Sequence, residues 1–193
     1  MLKKRIIPVQ LLINNRLVKT IKFGNYRDVG NPVTSSKIYS ASDADELIFL
    51  NINRDYRTVE QLLTLIEKVS EVCFMPLSLG GGIKTLKDAE LLLKNGADKI
   101  VVNSASYRDR TIISQIADRF GTQAVIVSID TKLNESTKEY QLYSNCGRQL
   151  EDISLEQHVK ESIEKGAGEI FINSIDRDGT MTGYDIDLIK KVF

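Results

Sequence analysis

The chain has 193 residues, 42% apolar and 27% charged, with 26 basic and 26 acidic side chains and a formal net charge of zero. That length fits one domain, spanning 1–193, with a sizeable core, and the charge balance gives no electrostatic basis for a nucleic-acid or membrane partner. Cys73, in the apolar run VCFM, and Cys146, in a polar stretch, need not pair and lack metal-ligand spacing; a reducing cytoplasm is the simpler setting.

The start, MLKKRIIPVQLLINN, sets Lys3, Lys4 and Arg5 before an apolar run, as a signal peptide does. Pro8 and Gln10 interrupt that run, no small-x-small cleavage site follows, and it is too short to span a bilayer. It reads instead as a strand over residues 5–12, with a turn at Asn14-Asn15. Residues 20–31 read as a polar, glycine-bearing loop, Pro32 opens a helix to about Ser42, and 46–52 (ELIFLNI) is a second strand. Thr58-x-x-Gln61 caps a helix with Val59, Leu62, Leu63, Ile66 and Val69 on one face.

The stretch 76–104, PLSLGGGIKTLKDAELLLKNGADKIVVNS, predicts a strand, a three-glycine turn, a helix and a second strand ending in Asn103 and Ser104. Thr85-x-x-Asp88 is a capping box, Leu86, Ala89, Leu92 and Leu93 share a face, and Gly96 ends the helix. Two short strands joined by one helix make a parallel βαβ unit, with the glycines past the carboxyl end of its first strand. Backbone N–H groups freed there can surround a phosphate, completed by Asn103 and Ser104; a flexible strand-to-helix turn explains the glycines equally well.

Ile112, Ile113, Ile116, Ala117 and Phe120 recur at helical spacing before Gly121, and AVIVSID, 124–130, is a buried strand ending in a carboxylate. Residues 131–148 are polar, with a small excursion at YQLYS. Ser154-x-x-Gln157 caps a helix carrying Val159 and Ile163 that stops at Gly166, EIFINS (169–174) is the sixth strand, and IDRDGTMTGYD leads into a last helix. The lone His158 lies in the 154–166 helix and reads as a surface or packing residue rather than a catalyst.

Six alternations of strand and helix give an α/β protein, either a (β/α)8 barrel or a doubly wound sheet. ADELIFLNI (44–52) echoes AGEIFINSI (167–175), and RIIPVQL loosely echoes VIVSID, both at an offset of about 120 residues. Duplicated half-barrels of a TIM-type (β/α)8 barrel explain this. Such a barrel needs eight strands and about 250 residues, so a single, incomplete barrel domain ending after about six βα units is expected.

With GGGIKT, ADKIVVNS, IVSID and SIDRDGT (174–180) in that order, the chain resembles the HisA/HisF barrel family, and within it the cyclase subunit of imidazole glycerol phosphate synthase, over its whole length. The resemblance implies a histidine-biosynthesis lyase, without cofactor or metal, partnered by a HisH-type glutaminase. Ammonia from that partner would cross the barrel to a bis-phosphorylated ribulosyl-aminoimidazole substrate. Gly82, Asn103 and Ser104 match the first phosphate site, Ser104 supplying a hydroxyl for the usual threonine, and Asp178 and Gly179 match the start of the second. Arg5, Glu46, Lys99 and Glu169 match a ring of charges that gates ammonia at the amino-terminal mouth, and Asp98 would be a partner contact there. Taken singly, each of the four is an ordinary strand-flanking charge.

Two departures follow the same resemblance. Asp130 matches one of the family's two catalytic aspartates, but Leu11 stands where the other is expected, and Asn51 replaces a second-strand aspartate. Leucine cannot transfer a proton, and losing a general acid costs about 10²–10⁴-fold in rate. Retention of the gate with loss of these carboxylates is similar to HisF-like paralogues tied to surface-polysaccharide (O-antigen) synthesis, which deliver ammonia for amidino-sugar formation. Three functions therefore stay open: a cyclase subunit, an ammonia-delivering paralogue, and a non-catalytic docking and conduit barrel.

Overall fold

The computed structural model describes residues 4–192; Lys3 lies outside them. Strand β1 is Val9–Ile13. Residues 5–8, expected in this strand, precede the ladder: Pro8 has no N–H to donate, and its carbonyl accepts from Ile48. Asn14 and Asn15 both hold positive φ (49° and 59°), the geometry of a tight two-residue hairpin, which returns the chain as β2, Arg16–Thr20. β2 pairs antiparallel with β1, Leu12 opposite Leu17. A third strand, β3 (Tyr26–Gly30), adds to it where a loop was expected. Its pattern is exposed on nearly every residue, so no buried periodicity announces it.

Asn31 accepts from the Val33 and Thr34 amides and Pro32 takes the first turn of α1, Pro32–Ala41. Then come β4 (Leu47–Asn51), α2 (Val59–Val69), β5 (Leu77–Gly80), α3 (Leu86–Lys94) and β6 (Lys99–Val102). Both expected capping boxes, Thr58/Gln61 and Thr85/Asp88, are formed. Beyond β6, a short helix α4 (Ser104–Arg108) precedes α5 (Ile112–Phe120). β7 (Val125–Leu133) outruns its expected end and continues into an antiparallel excursion, β8 (Tyr140–Ser144) and β9 (Gln149–Glu151). α6 (Leu155–Glu164), β10 (Glu169–Ser174) and α7 (Ile186–Val192) complete the described order.

The chain packs as two compact units. One comprises residues up to Lys19 with Asp28–Val101, the other Thr20–Arg27 with the chain from Val102. In the first, strands run β3-β2-β1-β4-β5-β6, with β1 to β6 parallel apart from the hairpin. Leu47, Phe49, Leu62, Leu79, Leu92 and Ile100 form its fully buried core. In the second, β10 runs parallel to β7, and β8 and β9 follow antiparallel on the other edge of β7. Ile112, Ile113, Ile116, Ile126, Ile129 and Leu142 are buried there. The alternation of parallel strand and helix is that of the α/β TIM-barrel class. Among the described residues no helix is long and apolar enough to cross a membrane.

The three-glycine turn is not slack. Gly81 has φ +95°, and a Cβ there would lie 2.1 Å from the Asn51 carbonyl oxygen; one on Gly80 would meet Leu50 and Val101 below 3 Å. We therefore predict that Gly81→Ala destabilises the protein by about 3 kcal/mol or more, through the positive φ and the backbone clash together, read as a fall in urea midpoint.

Candidate functional site

Asp130 lies in β7, where Val125–Thr131 are buried without interruption. Parallel pairing with β10 puts Asn173 directly opposite Asp130. Asn173 Nδ2 donates to Asp130 Oδ1 at 2.8 Å, and Asn103 Nδ2, from just past β6, donates to Oδ2 at 3.0 Å and to the Ser128 carbonyl at 3.0 Å. Each carboxylate oxygen thus accepts one amide hydrogen and keeps lone-pair capacity for a proton.

Burial raises the Asp130 pKa to about 6; the two amide donors pull it down, and the charge of Asp178 adds to the rise. A carboxylate poised there is mostly ionised at neutral pH and still basic enough to take a proton, the tuning expected of a general base. Because the charged form is the disfavoured one in the fold, the stability this group contributes falls as pH rises from about 4 through 6.

Ser104, the first residue of α4, accepts from the Asn145 amide at 3.0 Å, and its hydroxyl sits 3.4 Å from Asn103 Oδ1. Asn103, Ser104 and Asp130, singled out from sequence, are therefore joined in one hydrogen-bonded group. Asn173 belongs to it and was missed. Its signal was present, since Asn-Ser closes both VVNS (101–104) and FINS (171–174).

Asp178 and Gly179 are engaged with the segment 20–23. The Asp178 carboxylate accepts from Thr20 Oγ1 at 2.7 Å and from the Phe23 amide at 3.0 Å, and its carbonyl accepts from Lys22. Gly179 has φ +68°, and a Cβ there would meet the Thr20 carbonyl oxygen at 2.1 Å.

In the first unit, Glu46 accepts from both Arg5 and Lys99, the latter at 2.7 Å. Glu46 and Lys99 side chains are 8% and 14% exposed, whereas Arg5 is 44% exposed. Asp98, expected as a partner contact, is exposed and accepts from the Leu77 amide at 2.8 Å, fixing the start of β5. Gly82 (φ +87°) follows β5, close to the Arg57–Thr58 backbone. Asn51 donates to Gln61 at 2.6 Å and accepts from the Asn53 amide, so its amide locks the β4–α2 connection. Leu11 is half-buried in β1, opposite Leu50. In the second unit, Glu169 opens β10 opposite Ile126.

His158 is a packing residue, 4% exposed, stacked on Tyr107 with ring centroids 4.3 Å apart. Burial lowers its pKa to about 4, with Arg110 and Lys165 contributing in the same direction and Glu161 opposing. An imidazole that resists protonation in the fold but not in the unfolded chain contributes stability that is whole above pH 6.5 and lost towards pH 4. This acid loss amounts to about 3 kcal/mol at most. We expect His158→Phe to remove that component, so that its melting temperature drops less than the parent's between pH 7 and pH 5.

Comparison with known proteins gives one consistent family. Residues 5–193 match the family described as Histidine biosynthesis protein. The chain is 45% identical over 192 residues to a Leptospira borgpetersenii protein provisionally named as the HisF subunit of imidazole glycerol phosphate synthase, covering 100% of this chain and 76% of that one. The imidazole glycerol phosphate synthase subunit HisF of Lachnoclostridium phytofermentans is 43% identical over 191 residues, 98% of this chain and 73% of the relative. That of Exiguobacterium sibiricum is 41% identical over 192 residues, 100% and 76% respectively.

Proposed function

The chain belongs to the Histidine biosynthesis protein family, and we propose from that premise that it acts as a cyclase-type subunit on a bis-phosphorylated ribulosyl-aminoimidazole, using ammonia delivered by a glutaminase partner. The observation that carries this reading is the Asp130 carboxylate, buried and held on both oxygens by Asn103 and Asn173. In this role Asp130 takes a proton from the substrate or its ammonia adduct and returns it during ring closure. The Ser104 hydroxyl, one residue from Asn103, is the proposed donor to a substrate phosphate oxygen. Arg5, Glu46 and Lys99 are three of the four charges, Glu169 being the other, of the proposed ammonia gate, and Glu46 accepts from both cations.

Leu11 and Asn51, in place of family carboxylates, favour a second reading in which ring closure is slow and the delivered ammonia serves amidino-sugar formation in surface-polysaccharide synthesis. If the barrel were only a docking platform and conduit, it would have no need of a tuned carboxylate.

Calorimetric titration with the bis-phosphorylated substrate tests the reading. The expected result is saturable binding that Ser104→Ala weakens about 5- to 10-fold, the effect of one hydrogen bond to a charged group. Absence of binding to the parent chain would leave no substrate role and count against both enzymatic readings.

A further inference from the structure

α4 has five residues, too few to hold a helical conformation by its own hydrogen bonds, so its placement is set by what packs on it. It begins at Ser104 and is preceded by Asn103, so its placement also sets those two side chains. Ala105 and Ser106 are buried, and Ser106 Oγ donates back to the Asn103 carbonyl at 2.7 Å. The largest side chain of α4, Tyr107, lies in a near-parallel stack with His158 of α6, the ring planes 16° apart.

α6 grips the same segment a second time: Arg110, just past α4, donates to Glu161 at 3.1 Å, and Glu161 is held in turn by Gln157 at 2.9 Å. His158 itself sits in an unfavourable setting for a polar ring. Its Nε2, the Tyr107 hydroxyl and the Ser162 hydroxyl, one turn along α6 from His158, are all buried without a hydrogen-bond partner among the described residues. The Tyr107 phenol is pushed up by burial and then by the charges of Asp130 and Glu151.

We propose that Tyr107 and His158 are a positioning pair: their stack locks α4 against α6, and so holds the Asn103 amide on Asp130 and the Ser104 hydroxyl beside it. The pair touches no reacting atom. Its functional consequence rests on reading Asn103, Ser104 and Asp130 as the substrate face.

The test compares the parent chain with His158→Ala and His158→Phe. Amide exchange is read at Ser106 and Asp109, which bond to the carbonyls of Asn103 and Ala105. The carboxyl resonance of Asp130 is titrated alongside. In His158→Ala both amides should exchange roughly 10-fold faster, the loss of one aromatic stack. The Asp130 midpoint should move above about 6 as one of its two amide donors is withdrawn. His158→Phe keeps a ring and should restore both readouts to parent values. Parent-like Ser106 and Asp109 exchange in His158→Ala, or no restoration by His158→Phe, would overturn the proposal. If His158→Ala does not fold, the decision passes to Tyr107→Leu read by the same two measurements.

Inorganic phosphate affinity, measured on the same variants, separates the two layers. A parallel loss in His158→Ala supports both. Altered exchange and titration with phosphate affinity unchanged upholds the positioning pair and removes Ser104 from the phosphate site.

Discussion

Glu46→Ala should lower the free energy of unfolding by about 3–5 kcal/mol, the cost of removing one partner from a buried ion pair. Glu46 is the common acceptor of Arg5 and Lys99, and the three groups differ in their access to water. Arg5, 44% exposed, can rehydrate when the carboxylate is withdrawn, so Arg5→Ala should change stability by about 1 kcal/mol or less. Lys99 is 14% exposed and sits at the first position of β6, where withdrawal of Glu46 removes a carboxylate it donates to. Charge, not volume, should dominate. Glu46→Gln should therefore behave much like Glu46→Ala, and combining Glu46→Gln with Lys99→Met should recover most of the loss. Urea denaturation of the four variants reads all of this. A small effect of Glu46→Ala would mean that the triad is hydrated and confers no rigidity on a gate.

Asp130→Asn should reduce turnover by about 10²–10⁴-fold, the range for loss of a positioned acid–base group. Asparagine is nearly isosteric but offers one acceptor oxygen where Asp130 offers two, so one of the Asn103 and Asn173 amides must turn, and the rate should fall far more than binding weakens. With the Asp130 carboxylate as the proposed base, parent activity should rise with pH through about 6 and level off above it. In the variant the residual rate should lack that limb. Its stability should also lose the decline between pH 4 and 6 that burial of the Asp130 charge imposes.

How much of this was legible in the sequence depended on whether local signals and tertiary packing agreed. The strand over 169–174 and the helices opened by Thr58, Thr85 and Ser154 were readable because capping residues and apolar spacing reinforce each other. The β2–β3 ribbon was not, because β3 is solvent-facing and carries no apolar alternation. α6 shows the opposite failure. Its buried positions are Leu155, His158, Val159 and Ser162, whereas Ile163, read with Val159 as the helix's apolar residues, is 57% exposed. Two polar residues on the inner face and an isoleucine on the outer one disguise which side packs. α4 lies in SASYR, which has no apolar stripe, and is fixed only by what surrounds it. At the site, Asp130 stood out as a carboxylate ending an apolar strand, but Asn173 could be paired with it only through the register of β7 and β10.

The most direct test of the proposed chemistry is to incubate the chain with the bis-phosphorylated ribulosyl-aminoimidazole and an ammonium salt, which replaces the glutaminase, and to follow both products. The account predicts slow, ammonia-dependent formation of imidazole glycerol phosphate and the aminoimidazole carboxamide ribotide in equal amounts. Recovery of intact substrate after saturating binding would contradict it and leave a barrel that holds the substrate without converting it.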